Sequence, residues 1–459
     1  MSKIDIKKLV EKQRAYFATG RTRRVDVRIR ALDRLALSIE EHEQELVEVL
    51  KSDLGKSRME SYMCEIGLTL SEIRYLKRHL RGWSRDEIVP TPLAQFAGLS
   101  YIKKDPYGVT LIMSPWNYPV LLTLEPLAGA IAAGNCCIIK PSAYSPATSS
   151  ILAKIIDDVF LPEYIAVVEG GRKENSELLD QKFDYIFFTG SVAVGKLVME
   201  KASANLTPVT LELGGKSPVI IDSTAKLKLA ARRIVFGKYL NLGQTCVAPD
   251  YILICEDVKD EFLKYVKKEI TKQFGEHPLD NPNYGKMINE KHFRRVCGLI
   301  DPDKVAFGGE NNPATLQIAP TVLDGVAAED AIMQEEIFGP VLPIITVKSV
   351  DEAIAFVNER PHPLALYVFT ENRQVAKNVT EIISYGGGCI NDVVIHLATS
   401  YMGFGGVGNS GMGSYHGKKS FDTFTHEKSI MKKYTFMDMP LRYQPYTEIK
   451  ELMVRTFVR

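Results

Sequence analysis

Short apolar runs alternating with helical stretches constrain this chain more than any other feature of its sequence. Cys136-Cys137-Ile138-Ile139 carries no charge, and a helical pattern follows over Pro146 to Val159. Ile165 to Val168 repeats the run, with a short helix over Asn175 to Leu179. Tyr185 to Phe188 repeats it again, with a helix over Val192 to Ser203. Strands this short and uniformly apolar are covered on both faces, as in a parallel sheet wrapped by helices. A second block of the same kind follows Leu211. Its strands are predicted at Val219 to Ile221, Tyr251 to Cys255, Ala319 to Leu323, Val341 to Val347 and Leu366 to Thr370. Its helices are predicted at Ala225 to Leu240, Val258 to Phe274 and Val350 to Glu359. Two α/β blocks predict two domains with a cleft between them, which is where ligands bind.

The flanks read differently. Residues 3–82 are predicted to be helical, because Leu32, Leu35, Ile39, Leu46, Val49 and Leu50 recur at near-helical spacing between charges. Trp83 to Gly98, with Pro90 and Pro92, reads as a connection. Tyr101 to Lys104 and Val109 to Met113 read as strands around the turn Asp105-Pro106-Tyr107-Gly108. After Gly413 the alternation is lost, and the segment reads as an arm.

Several function classes drop out on composition. The formal net charge is +1, so no global field draws nucleic acid. Seven cysteines, an odd number without a CxxC pair, predict neither a disulfide framework nor a zinc ribbon and fit a reducing cytoplasm. Eight histidines without HExxH signal no metal site. The first residues lack an apolar core and do not read as a secretory signal. The longest apolar stretch, Val120 to Ala133, is interrupted by Glu125 and Pro126 and falls short of the ~20 residues that span a bilayer.

Three glycine signals need separating. The strand Tyr185 to Thr189 runs into Gly190-Ser191-Val192-Ala193-Val194-Gly195-Lys196, with a helix behind it. Such a turn suits a phosphate group, since free backbone N–H groups and the helix dipole favour an anion; it also suits a tight turn needing glycine for geometry alone. The same segment nearly matches a P-loop, but Leu197 stands where the magnesium-holding hydroxyl belongs. Gly403-Phe404-Gly405-Gly406-Val407-Gly408 satisfies GxGxxG without a strand before it or a helix after it. It reads as a loop that brings backbone close to a ligand or another chain.

The chemistry gathers in five places. Cys246 lies in the loop Asn241-Leu242-Gly243-Gln244-Thr245-Cys246-Val247-Ala248-Pro249, between a helix and a strand, where a reactive side chain meets a ligand. Glu212, in Thr210-Leu211-Glu212-Leu213-Gly214-Gly215-Lys216, sits at a strand end, where a partly desolvated carboxylate serves as a general base. Asn117, in Ser114-Pro115-Trp116-Asn117-Tyr118-Pro119, offers an amide donor suited to an oxyanion. Lys140, in Ile138-Ile139-Lys140-Pro141-Ser142, stands at a strand end facing the crevice. Glu336 and Phe338, in Glu335-Glu336-Ile337-Phe338-Gly339-Pro340, place an acid and an aromatic before a turn. Each alone has a bland reading: a strand-end acid, an Asx turn, a buried thiol. Their joint order carries the argument.

In that order the sequence resembles the aldehyde dehydrogenase superfamily over nearly its whole length. The resemblance rests on SPWNYP, IIKPS, FFTGS, TLELGGKSP, NLGQTCVAPDY, EEIFGP and FGGVGNSGMGSYHG. The short N-terminal region and the YHGKKSFDTFTHEKS ending look most like class 3, the fatty and aromatic aldehyde branch. The resemblance implies two Rossmann-like doubly wound domains and a small oligomerisation arm. The cofactor-binding domain would span residues 1–210, with a protruding segment near 84–108; the catalytic domain would span 211–413 and the arm 414–459. It further implies Cys246 as nucleophile and Glu212 as general base. Asn117 and the Cys246 backbone N–H would bind the oxyanion. Lys140, Glu336 and Phe338 would hold the cofactor's riboses and nicotinamide end, and Gly190, Ser191 and Gly195 would lie near its pyrophosphate. The expected protein is a cytoplasmic homodimer that oxidises an aldehyde with NAD or NADP and has no membrane anchor. Glu212 favours hydrolysis of the thioester over transfer to coenzyme A. A semialdehyde-specific or coenzyme A-acylating enzyme, or a non-catalytic protein of the same fold, are the other readings. Tyr62, Met63, Tyr118 and His396 are candidates to line an access tunnel.

One position breaks the family pattern. Ala143 follows Lys140-Pro141-Ser142 where many members carry a glutamate that bonds the adenosine ribose and repels a 2′-phosphate. With Arg172 and Lys173 just after the next strand, NADP is expected to be accepted.

Overall fold

The computed structural model describes residues 5–457. The first sheet comprises Val109–Met113 (β1), Cys136–Lys140 (β2), Ile165–Val167 (β3), Tyr185–Gly190 (β4) and Val209–Leu213 (β5). These strands are parallel, in the order β5-β4-β1-β2-β3. β1 and β2 are buried along their whole length, as doubly covered strands must be. The second sheet comprises Pro218–Ile221 (β6), Tyr251–Cys255 (β7), Val305–Phe307 (β8), Thr321–Leu323 (β9), Val341–Val347 (β10), Ala365–Phe369 (β11) and Gly387–Ile390 (β12). Its order is β8-β9-β10-β7-β6-β11-β12, parallel except for the edge strand β8. The two-sheet α/β architecture is the one the alternation predicts.

Gly411–Met412 (β13), near the chain's end, returns to the first sheet and pairs antiparallel with β5, setting Gly411 opposite Glu212. Three helices position the site: Leu121–Ala133 (α1), Val192–Ser203 (α2) and Leu227–Tyr239 (α3). α1 is buried on every side, so it is core rather than a surface helix. It stops at Gly134, whose left-handed φ of 98° any other residue would resist.

Differences from the sequence expectation have local causes. The helical segment predicted over 3–82 (residues 3 and 4 lie outside the described residues) is broken. Helices occupy Ile6–Ala18, Val25–Glu41, Glu43–Leu54 and Gly67–Trp83, with breaks at the left-handed Gly20 and Gly55. Before the last of them, Tyr62–Ile66 forms a π-helical turn. The strand expected at Tyr101 to Lys104 extends over Gly98–Pro106 and does not pair with β1. It pairs on one side with the short strand Glu87–Val89, inside the segment read as a connection, and on the other with Thr425–Lys433, a nine-residue strand inside the segment read as an arm without alternation. That strand, Thr-His-Glu-Lys-Ser-Ile-Met-Lys-Lys, is polar on both faces, so it gives no period-2 signal. The GxGxxG loop packs on its own chain: a Cβ on Gly405 would run into the Gly413 carbonyl and one on Gly406 into that of Ser410. Among the described residues, no helix is long and apolar enough to cross a membrane.

Candidate active site

The loop that presents Cys246 is bent by its backbone. α3 ends at Tyr239, and Asn241, Leu242 and Gly243 then take φ values of 49°, 54° and 72°. For Asn and Leu this left-handed conformation costs about 1–2 kcal/mol each, and it persists only where neighbours hold it. They do. The Asn241 N–H donates to Glu60 Oε1 at 2.9 Å, and Asn241 Nδ2 donates to the carbonyls of Asn117 (2.8 Å) and Gln244 (3.2 Å). Gln244 Nε2 donates to the carbonyls of Asn241 and Lys286, both at 3.1 Å, and its Oε1 accepts from the Ile288 N–H. A Cβ at Gly243 would run into the Gly339 carbonyl, so glycine there lets the Glu336–Pro340 turn pack on the cysteine loop.

The Asn117 loop is fixed from the other side. Lys56 Nζ donates to Glu65 Oε1 at 2.5 Å and to the Asn117 carbonyl at 2.8 Å, and lies 3.9 Å from the centre of the Tyr118 ring. Glu65 Oε2 accepts from the N–H groups of Val120 (2.7 Å) and Leu121 (3.3 Å). Both side chains are fully buried. The π-helical turn carries Glu65, and such turns recur at functional sites. Asn117 Nδ2 donates to the Gln244 carbonyl at 3.0 Å, and the Tyr118 hydroxyl meets Thr245 Oγ1 at 2.7 Å. The Asn117 amide is thereby held two residues from Cys246 with its second N–H to spare. Nothing in the sequence marks Lys56, Glu60 or Glu65; they are charges in an amphipathic helical pattern like dozens of others.

Glu212 lies near the end of β5, opposite Gly411 of β13, and its position is unusual. Both carboxyl oxygens are buried and neither has a hydrogen-bond partner. Burial therefore pushes its pKa well above the usual carboxylate range. Cys246 is half-buried, and its thiol is pushed up to about 12 by burial and by the charges of Glu336 and Glu212. The thiol, Glu212 and Glu336 thus share one electrostatic neighbourhood.

Two cavities, each of about 540 Å3, meet the site. Cys246 lines the first, with Thr245, Met63 and Tyr118. Of the other tunnel candidates, Tyr62 packs against Gly67 and His396 sits beside Cys389, and neither lines this cavity. Gly214, Glu336 and Val192 line the second. A Cβ on Gly214 would collide with the Glu336 carboxylate, so this glycine admits the acid. Lys216 ties the two motifs together: its Nζ donates to Asp250 Oδ1 at 2.5 Å and to the carbonyls of Ile332 and Glu335. Asp250 in turn accepts from the Ile337 N–H at 2.9 Å.

The cofactor candidates occupy the crevice edge. Glu336 has its Oε1 buried without a partner and its pKa raised to about 8, by burial and by Asp250. Phe338 is half-buried and meets Trp116 edge to face at 5.4 Å. Lys140 is buried, donates to the Pro141 carbonyl at 2.6 Å, and is lowered to about 8 by burial, against the pull of Glu174 and Glu169. Ser191 is exposed and caps α2 without a side-chain hydrogen bond, which leaves the first-turn N–H groups free for an anion. Gly195 is buried, and a Cβ there would strike Leu213, so its place is fixed by helix–strand packing. Gly190 ends β4, two residues before α2 begins, against the Phe188 ring. An orphaned acid on one side and an uncapped helix start on the other fit a dinucleotide.

Two parallel sheets, an uncapped helix start over one of them and a thiol beside unpartnered carboxyls define an NAD(P)-linked α/β oxidoreductase. The chain belongs to the aldehyde dehydrogenase family, whose profile matches residues 1–430. It is 48% identical to the 4,4'-diaponeurosporen-aldehyde dehydrogenase of Staphylococcus aureus over 435 residues, 94% of this chain and 95% of that one. It is 46% identical to mouse aldehyde dehydrogenase family 3 member B1 over 440 residues, 95% and 94% of the two chains. The solved structure of the substrate-bound state of Staphylococcus aureus AldH superposes with a TM-score of 0.98 at 46% identity, covering 99% of this chain and 100% of that one. The family uses NAD or NADP.

Proposed function

We propose that the protein oxidises medium- or long-chain aliphatic and aromatic aldehydes to carboxylic acids through Cys246, Glu212 and Asn117. The observation that carries this reading is the Glu212 carboxyl, buried without a hydrogen bond while its charge acts on the Cys246 thiol. A strand-end acid with only a structural role would be exposed or paired.

Cys246 Sγ adds to the aldehyde carbon as a thiolate. The second N–H of Asn117 and the backbone N–H of Cys246 meet the oxygen as it becomes negative. Both donors are held beforehand, so no reorganisation accompanies the step. When bound, NAD or NADP accepts the hydride that leaves the tetrahedral carbon. Cys246 then carries a thioester. Glu212 takes a proton from the water that attacks it, the C–S bond breaks, and the acid departs with the thiol restored. The apolar wall of the cavity beside Cys246, with Met63, Leu68, Leu121, Leu122 and Phe236, suits a hydrocarbon chain.

Lys140 and Glu336 would hold the ribose hydroxyls, Phe338 the nicotinamide end, and Ser191 with Gly190 and Gly195 the pyrophosphate turn. Residues 1–210 would form the cofactor domain and 211–413 the catalytic one. The arm, 414–459, would join a cytoplasmic homodimer. Ala143, Arg172 and Lys173 are all exposed, which leaves them open to a 2′-phosphate and supports NADP acceptance. Production of NAD(P)H from a panel of aldehydes tests the reading, and no turnover of any would overturn it. Glu212→Gln is expected to keep a burst of NAD(P)H and stall thereafter; turnover at the parent rate would remove Glu212 from its role. In Arg172→Ala/Lys173→Ala the kcat/KM for NADP is expected to drop relative to NAD, and a strong NAD preference in the parent would exclude the phosphate role.

A further inference from the structure

The cavity beside Cys246 has one chemically odd wall. α1 contributes thirteen buried residues, and Glu125 is its one ionisable side chain. It lines the cavity while only 4% exposed. Thr123, the helix's other polar side chain, is spent within 2.6 Å on the Pro119 carbonyl and Ser114 Oγ. Glu125 has no such anchor. Its polar neighbour is His416 Nε2, 3.4 Å from Oε1, and no lysine or arginine pairs with it among the described residues.

His416 is itself buried, and burial lowers its pKa to about 3, so it stays neutral. Burial and the nearby Glu72 raise Glu125 well above the usual carboxylate range, which favours its neutral form. A neutral carboxyl has one O–H to give and a carbonyl oxygen to accept with, and a single neighbour satisfies one of these. Glu72, next along the same wall, accepts the Gly417 N–H at 2.6 Å and is thereby occupied. Glu125 is the acid with unused hydrogen-bonding capacity, facing a cavity whose exposed lining is mostly apolar although Glu72, Arg74 and Arg78 also line it. A buried polar group left without a partner is costly, and in a cleft it marks a place for a ligand.

We propose that Glu125, backed by His416, determines specificity by taking the hydroxyl of a hydroxylated aldehyde. This rests on the reading of the cavity as the aldehyde site. A hydroxyl both gives and accepts, so it satisfies Glu125 whichever oxygen carries the proton. A cationic amine is disfavoured by Arg74 and Arg78, which line the same cavity. Glu125 and Cys246 line the same cavity, and the charges that act on the thiol are those of Glu336 and Glu212. Tyr415, packed edge-on against His416 at 4.3 Å, is within electrostatic range of both Glu125 and Cys246.

The experiment compares kcat/KM for straight-chain alkanals with their ω-hydroxy counterparts of equal length. A wall without polar groups would reject the hydroxyl, because burying it unpaired is costly. The expected result is a chain length at which the ω-hydroxy aldehyde is preferred. In E125L the ratio of hydroxylated to plain substrate falls at least about tenfold at that length, while E125Q keeps most of it. The inference is overturned if the parent prefers the plain alkanal at every length, or if E125L and the parent share one ratio. Turnover of alkanals with a flat ratio sinks only this inference. Turnover of no aldehyde sinks the proposed function, and this inference with it.

Discussion

At the residue scale, burial does most of the chemistry. Cys246 and Glu212 both have raised pKa values, and each must lose a proton to act. Activity limited by either should therefore climb with pH above neutrality. Glu336 is part of the cause, because its charge opposes formation of the thiolate. Glu336→Gln, assayed at saturating cofactor, is expected to shift the rising limb of the kcat/KM profile to lower pH; an unmoved limb would show that Glu336 does not act on the thiol. Asn117→Ala is expected to lower kcat by about 100-fold, the usual cost of losing one oxyanion donor. The motif residues were legible because their spacing is local: Gln244 to Cys246, or Glu212 to Lys216, lie within a few positions. Lys56 and Glu65 were not. What singles them out is proximity to Asn117, fifty or more residues away, and nothing in a local pattern encodes that.

At the scale of elements, two devices hold the site. One is the left-handed stretch Asn241–Gly243, which turns the chain from α3 toward Cys246. The other is the buried Lys56–Glu65 pair, which binds the Asn117 loop to the N-terminal helices. Removing one partner of a buried pair leaves a charge without compensation. Lys56→Met should cost about 3–5 kcal/mol of stability, and Lys56→Met/Glu65→Leu should recover part of it. Thermal or urea unfolding of both variants measures this; equal losses would show that the pair is not coupled. Legibility at this scale followed burial. Tyr251–Cys255, Val341–Val347, Pro146–Val159 and Val192–Ser203 were read with correct ends because apolar periodicity set them. The polar strand Thr425–Lys433 was missed because its pairing with Gly98–Pro106 is made by backbone, which any side chains permit. The two-residue β13 is too short to leave a pattern.

Over the whole molecule, the unpaired acids have a thermodynamic signature. Glu336 is raised to about 8 in the folded chain, against an ordinary value of about 4.3 unfolded. A raised acid favours the fold fully below the unfolded value and loses that contribution as pH rises through the folded one. Glu336→Gln, a mimic of the protonated form, should thus gain in Tm relative to the parent between those limits. A constant difference across that range would refute the assignment. The two-sheet plan was readable from the alternation alone, but the return of the chain's end to the first sheet was not. That return has a consequence for how the molecule is made. Until Gly411 and Met412 emerge from the ribosome, the strand bearing Glu212 is an open edge, and the long strand at Gly98–Pro106 waits for Thr425–Lys433. Open edges invite pairing with other chains. The nascent protein must therefore protect two edges for roughly two hundred and three hundred residues of synthesis, respectively, before it can close them, at translation rates of about 5–20 residues per second. Its dependence on holding factors during synthesis should exceed what the stability of the finished fold would suggest.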